Sequence, residues 1–325
     1  MSKILVTGGS GFLGSRCIVS ALAAGHEVST TVRNLDKAPQ VGALLQSACG
    51  GVEPEIAYHA ADLTCDDGWA EAVAGCDYVL HTASPFPTVQ PENPDDLIMP
   101  ARDGTLRVLR AARDAGVKRV VLTSSFAAIG YGDAPHDHVY TESDWTPIDA
   151  PNQAYIRSKT IAERAAWDFV SESGSLELSV VNPTGIFGPL LSSEFSTSIG
   201  LLKALLDGNF QVLPDMWFGA VDVRDVADLH LRAMTNPDAA GQRFIAVAGE
   251  PLSLTEVAAI LRDRLGAAAA CVPTKSAEPS PETKRRRSSS AKARELLGWS
   301  PRSGEDAILA STASLLIPNL VAAPA

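Results

Sequence analysis

The chain has 325 residues, 46% of them hydrophobic and 20% charged, and a formal net charge of -11. That length and apolar content suffice for one large core with a smaller appended lobe, and the negative balance disfavours nucleic acid or an anionic membrane as partner. Five scattered cysteines, Cys17, Cys49, Cys65, Cys76 and Cys271, without a Cys-x-x-Cys spacing, argue against a disulfide framework or a zinc site.

The first apolar run, 4–7, leads directly into the turn Thr7-Gly8-Gly9-Ser10-Gly11-Phe12-Leu13-Gly14 and then into a helical pattern over 12–24. Strand, glycine-rich turn and helix in this order aim the free N–H groups of a helix N-terminus at whatever lies above the strand, and an anionic pyrophosphate suits that position. A second strand, 28–32, ends at Arg33, with Lys37 four residues on. A carboxylate there would accept from a ribose 2′-hydroxyl, whereas an arginine attracts a 2′-phosphate and can bind it bidentately. Strands follow at 55–59, before Asp62-Leu63, and at 78–82, before Ala83-Ser84-Pro85. A helical pattern over 97–115 precedes a strand at 120–124, whose end reads Thr123-Ser124-Ser125. Hydroxyls at the carboxyl end of a parallel strand lie beside the crevice where such sheets bind ligands.

Tyr155-Ile156-Arg157-Ser158-Lys159 opens a run of good helix formers that reaches Trp167. The spacing sets Tyr155 and Lys159 on one helix face, one turn apart. A phenol with a pKa of about 10 needs a neighbouring ammonium to act near neutral pH. A sixth strand is expected at 178–181, and this alternation of strands and helices predicts an α/β fold with a doubly wound parallel sheet. Residues 1–182 read as mainly the dinucleotide-binding part. The character changes after Pro183, with Gly188-Pro189, Gly208, Pro214 and Gly219 before helical patterns at 223–234 and 254–265, so residues 183–325 read as mainly a substrate lobe with excursions back to the sheet. The basic run Lys284-Arg285-Arg286-Arg287 reads as a solvated surface loop before a helix at 292–297. His81, His136, His138 and His230 have no metal-ligand arrangement and are expected to be structural or on the surface, with no metal bound.

The TGGSGFLG turn, Ala83-Ser84-Pro85, Thr123-Ser124-Ser125, the Tyr155 to Lys159 segment and the stretch 182–189 together resemble the extended short-chain dehydrogenase/reductase superfamily, of the NAD-dependent epimerase/dehydratase type. Within it the chain is most similar to the branch of dihydroflavonol reductase, cinnamoyl-CoA reductase and yeast-type carbonyl reductase. That likeness runs through Thr31-Val32-Arg33, Ala61-Asp62-Leu63, His81-Thr82-Ala83-Ser84-Pro85, Thr141-Glu142-Ser143-Asp144-Trp145 and residues 162–167. The resemblance implies a Rossmann fold, NADP(H) as cofactor, and a catalytic set of Ser125, Tyr155 and Lys159. Tyr155 would be the proton donor, Lys159 the phenolate stabiliser and ribose holder, and Ser125, rather than Ser124, the second donor to the carbonyl oxygen. It implies further cofactor contacts at Gly8, Ser10, Gly11, Phe12, Leu13 and Gly14, at Arg33 and Lys37, at Asp62 and Leu63, and at Thr82, Ala83, Ser84 and Thr123. Pro183, Thr184, Gly185 and Ile186 would form the loop over the nicotinamide. Ahead of Gly104-Thr105 the chain has Pro100-Ala101-Arg102-Asp103 instead of the superfamily's Asn-Val-x-Gly-Thr, so a proton relay there lacks its usual side chain.

Phe86, Phe126, Tyr131 and Trp217 are candidates for the substrate wall, which suits an apolar carbonyl compound. The expected function is an NADPH-dependent reductase of a hydrophobic aldehyde or ketone. A nucleotide-sugar epimerase or dehydratase with tightly held NAD shares the fold and the triad. A non-catalytic dinucleotide-binding regulator would have no use for an acid, an ammonium and a hydroxyl donor together. The expected partner is a small carbonyl or alcohol, bound by a monomer or homodimer. With no signal peptide and no apolar run of about 18 residues, a soluble cytoplasmic protein is expected.

Overall fold

Along Lys3–Thr7 the side chains of Ile4 and Val6 enter one buried cluster and Leu5 enters another, so this strand is covered on both faces. That is the period-two signature of a parallel sheet between two helix layers. The computed structural model describes residues 1–85, 91–192, 196–280 and 283–317. The first half runs β1 (Lys3–Thr7), α1 (Phe12–Ala23), β2 (Glu27–Val32), α2 (Ala38–Ala48), β3 (Ile56–Ala60), α3 (Trp69–Val73), β4 (Tyr78–His81), α4 (Asp95–Asp114) and β5 (Arg119–Thr123). The short β6 (Val139–Tyr140), α5 (Ala154–Ser173), β7 (Glu177–Pro183), β8 (Gly185–Phe187), α6 (Thr197–Leu206), β9 (Trp217–Phe218), β10 (Ala220–Asp222) and α7 (Val223–Thr235) follow. The chain continues through β11 (Arg243–Ala246), β12 (Leu252–Ser253), α8 (Leu254–Leu265), β13 (Arg287–Ser288), α9 (Ala291–Leu297) and α10 (Gly304–Leu315).

Seven strands form the main sheet in the order β11-β7-β5-β4-β1-β2-β3, all neighbours parallel. From β1 the chain builds outward through β2 and β3, then crosses to β4 on the other side of β1. This reversal opens a crevice beyond Thr7 and His81, which are paired across β1 and β4. Residues of α1 and α7 fill one face, and those of α3, α4 and α5 the other. A separate cluster of Phe187, Ile199, Leu202, Leu261 and Ile308 joins β8, α6, α8 and α10 into the smaller lobe.

The seventh strand of the main sheet, β11, is one that sequence patterning did not reveal, because four residues carry too little periodicity to separate a strand from a loop. Its free edge is covered by the segment around Glu142. The carboxylate of Glu142 accepts from the Ile245 N–H at 2.9 Å, and Arg243 Nη1 donates to the Glu142 and Asp144 carbonyls at 2.8 and 2.9 Å. Covering an edge in this way protects it from pairing with another chain. The basic run lies at the surface, with Lys284 and Arg285 exposed, but Arg287–Ser288 pairs with β6 and the cations dock on neighbouring groups.

At the crevice the glycines solve a packing problem. Gly8 has φ +70°, in the left-handed region, and a Cβ at Gly14 would lie 2.3 Å from the Gly8 carbonyl oxygen and 2.9 Å from Thr82 Oγ1. The helix can approach the turn this closely only without a side chain at Gly14. Gly14→Ala should therefore lower unfolding free energy by about 1–3 kcal/mol through overpacking. Gly200→Ala in α6, where a Cβ meets nothing within 4 Å, should be neutral or stabilising. Urea denaturation of both variants checks this, and equal midpoints would contradict the packing argument.

Candidate active site

The ends of β1 and β4 are locked together above the glycine turn. Thr82 Oγ1 donates to the Thr7 carbonyl at 2.6 Å, the Ala83 N–H donates to Thr7 Oγ1 at 3.1 Å, and Thr7 Oγ1 lies 2.8 Å from His81 Nδ1. Burial, aided by the Lys159 ammonium, pushes the His81 pKa down to about 3, so this ring is neutral. Gly11 caps α1 with its backbone alone, and the turn residues Ser10, Phe12 and Leu13 stand at the helix start. On the other flank Arg33 and Lys37 are exposed just past β2 and make no salt bridge among the described residues. Asp62 lies within the electrostatic reach of Arg33. Its carboxyl is held below the usual range chiefly by the Thr64 hydroxyl and N–H, with Arg33 contributing. Leu63 packs against Gly104 of α4, and its carbonyl accepts from Arg107 at 2.8 Å.

At the end of β5 the three hydroxyls are divided among three tasks. Thr123 Oγ1 is 2.7 Å from His230 Nε2, while His230 Nδ1 is 2.8 Å from the Val226 carbonyl. A carbonyl only accepts, so Nδ1 carries the proton. Burial lowers the ring's pKa to about 4, leaving Nε2 bare to accept from Thr123. Ser124 is buried and donates to Glu163 Oε2 at 2.5 Å. Ser125 caps a short 3₁₀ turn, accepting from the Ala127 N–H at 3.1 Å, and shares a side-chain hydrogen bond with Tyr155. Ser125 is thus the serine beside the phenol, and Ser124 is committed to the interior.

Tyr155, Lys159 and Glu163 succeed one another at four-residue intervals on α5. Lys159 Nζ donates to Ser84 Oγ at 3.1 Å and stands 6.0 Å from the Tyr155 ring centroid. Burial lowers the Lys159 pKa to about 8, with the Glu163 carboxylate opposing the fall. The Tyr155 pKa is raised, not lowered as the pairing with Lys159 alone suggested. Burial dominates, the Ser125 bond opposes it and Tyr131 adds to it. Where the superfamily's asparagine would stand, Ala101 leaves a cavity of about 10 Å³ lined also by Ser84, Thr105, Ser124, Lys159 and Glu163. That is room for about one water.

Of the proposed loop, Thr184 donates to the Ala246 carbonyl through its N–H and hydroxyl at 3.1 and 3.2 Å, and Gly185 and Ile186 lie on β8 beside β10. Pro183 ends β7 and pairs with Ala246. Tyr131 and Trp217 are half-buried, whereas Phe126 turns its ring into a cluster with Ile129, Tyr140, Ile245 and Val247. Phe86 lies outside the described residues.

Sequence reasoning missed the carboxylate at the centre of this arrangement. Glu163 is fully buried and accepts from Ser124 and Asn182 on Oε2, at 2.5 and 2.7 Å, and from Arg243 and Trp167 on Oε1, at 2.6 and 3.3 Å. The signal was present in the spacing of residues 155, 159 and 163, but its partner Arg243 lies 80 positions away on an unrecognised strand.

The family model for the NAD dependent epimerase/dehydratase family matches residues 4–249. The chain belongs to that family. Among curated members, tetraketide alpha-pyrone reductase 2 of Arabidopsis thaliana is 39% identical over 249 residues, covering 74% of this chain and 77% of its own. Cinnamoyl-CoA reductase CAD2 of Medicago truncatula is 36% identical over 266 residues, 80% of each chain. The crystal structure of yeast methylglyoxal/isovaleraldehyde reductase Gre2 complexed with NADPH superposes with a TM-score of 0.83 at 27% identity, covering 97% of this chain and 98% of that one.

The different commitments of the two serines separate their variants. Ser124→Ala removes a donor from a buried carboxylate and should cost about 1–3 kcal/mol of stability, visible as a lower urea midpoint. Ser125→Ala, which removes the cap on the Ala127 N–H, should lower the midpoint less than Ser124→Ala and lower turnover more. The reverse pattern would exchange the two assignments.

Proposed function

We propose that this family member is an NADPH-dependent reductase of hydrophobic aldehydes or ketones, working reversibly and exchanging its cofactor at every turnover. It is an NADP-dependent oxidoreductase. The observation that carries the substrate-level reading is the convergence of Ser125, Tyr155 and Lys159 at the carboxyl end of the sheet, with an exposed cation, Arg33, where a carboxylate would select NAD. The likeness to enzymes named as reductases supports it. The donor set suits the dinucleotide: the start of α1 faces the pyrophosphate position, Arg33 and Lys37 the 2′-phosphate, Asp62 and Leu63 the adenine, and Lys159 the ribose.

When bound, the cofactor supplies a hydride to the carbonyl carbon. The residues of the chain manage the oxygen. Ser125 donates to it, and Tyr155, kept protonated by its raised pKa, releases its proton as negative charge develops. Lys159 then sits beside a phenolate instead of a phenol, and its positive charge favours that state. Tyr131 and Trp217 supply an apolar wall that limits access of water.

Four measurements test this reading. Tyr155→Phe should lower turnover by at least about a hundredfold while NADPH still binds, and near-normal turnover would refute the proton-donor role. Arg33→Ala should erode the kcat/KM preference for NADPH over NADH by about ten- to a hundredfold, since each charge-assisted bond contributes about 1.5–3 kcal/mol. Wild-type indifference to the phosphate would contradict it. Because the Lys159 pKa lies near 8, the reduction rate should be flat around neutrality and fall above about pH 8 as the ammonium discharges. Protein that purifies with stoichiometric NAD and interconverts nucleotide sugars without net NADPH consumption would replace the reductase reading with an epimerase.

A further inference from the structure

The basic run Lys284 to Arg287 is docked by specific partners. Lys284 pairs with Asp133 at 2.8 Å, while Arg285 and Arg287 share Glu250 at 3.5 and 3.0 Å. Arg286 has no carboxylate partner among the described residues, yet it is firmly placed. Its Nε donates to the Gly130 carbonyl at 2.8 Å, and its guanidinium lies 4.3 Å from the Tyr131 ring centroid. Arg285 stands in the same relation to Trp217, at 4.6 Å. Two consecutive cations therefore cover the two half-buried aromatics of the substrate wall. Tyr131 is itself held at both backbone ends, its N–H donating to Thr146 Oγ1 at 3.0 Å and its carbonyl accepting from Asn152 Nδ2 at 3.1 Å. It is also near enough to Tyr155 to oppose ionisation of that phenol.

With Nε engaged, the end of the Arg286 guanidinium still presents Nη1 and Nη2 as a two-pronged donor. Such a fork matches the two oxygens of a carboxylate, and an aromatic face beside it suits a planar, weakly hydrated ligand body. In a chain of net charge -11, a cation so fixed and without a salt-bridged carboxylate among the described residues is a local exception that attracts anions.

We propose that Arg286 reads a carboxylate on the substrate, so that the physiological substrate is a carbonyl compound whose planar apolar body carries a carboxylate remote from the reacting carbon. The inference rests on the reductase reading above and names its substrate class. The carboxylate takes no part in the redox step. Hydride from NADPH adds to the carbonyl carbon, the proton of Tyr155 goes to the oxygen, and the alcohol leaves with its carboxylate unchanged.

The test compares 4-formylbenzoate with its methyl ester by NADPH oxidation. Wild type should favour the acid over the ester by about tenfold or more in kcat/KM, mainly through KM, with the ratio shrinking as salt rises. Arg286→Gln should bring the ratio close to one, whereas Arg287→Gln, the same charge change at the residue paired with Glu250, should preserve it. A wild-type ratio near one, or equal losses of the ratio in both variants, overturns the inference and leaves the reductase reading intact. If neither aldehyde is reduced, the reductase reading fails. The anion site is then judged by calorimetric titration of 4-formylbenzoate: binding that Arg286→Gln abolishes sustains it, and no binding to wild type overturns it.

Discussion

One buried carboxylate ties the reacting end of the molecule together. Glu163 gathers Ser124 from β5, Asn182 from β7 and Arg243 from β11 around helix α5, and Asn182 Nδ2 also donates to the Ser125 carbonyl at 3.2 Å. Three strand ends and helix α5 are therefore held in one register by a single group. All the donors that converge on the Glu163 carboxylate fix its geometry, because every displaced partner leaves a buried polar atom short, although Asn182 Oδ1 and Arg243 Nη2 lack a partner among the described residues. Ser125, next to Ser124, inherits its position beside Tyr155 from that anchoring, and Lys159 inherits a negative neighbour one helical turn away.

Much of this architecture is legible in the sequence where information is local. The first six sheet strands and the glycine turn follow from short apolar runs and the residues that end them, and the Tyr155–Lys159 spacing fixes a helix face. What was not legible depends on contacts between distant segments. β11 is too short to announce itself, and the segment around Glu142, matched as a family likeness, proves to cover the edge of that strand. The division of labour between Ser124 and Ser125 is likewise invisible locally, since two adjacent serines differ only in the direction their side chains take. The docking of the basic run is hidden for a related reason: Asp133 and Glu250, which pair with it, lie far from it in the chain.

The electrostatics of the site come from burial working against charge. Desolvation raises the Tyr155 pKa and lowers that of Lys159, while Ser125 and Glu163 pull the other way. His81 and His230 are neutral rings whose role is to orient Thr7 and Thr123, the hydroxyls at the ends of β1 and β5 on either side of β4.

The pairing of Glu163 with Arg243 also constrains how the chain can be assembled. β7 acquires its last neighbour only after the whole excursion through β8, α6, β10 and α7 has been synthesised, so the sheet closes late and through a contact of high sequence separation. Until Arg243 emerges from the ribosome, α5 carries a carboxylate that cannot be buried against β5 and β7 without an uncompensated charge, a penalty of about 3–5 kcal/mol. Seating α5 against the sheet is accordingly less favourable until the strand that follows the lobe arrives to neutralise this carboxylate.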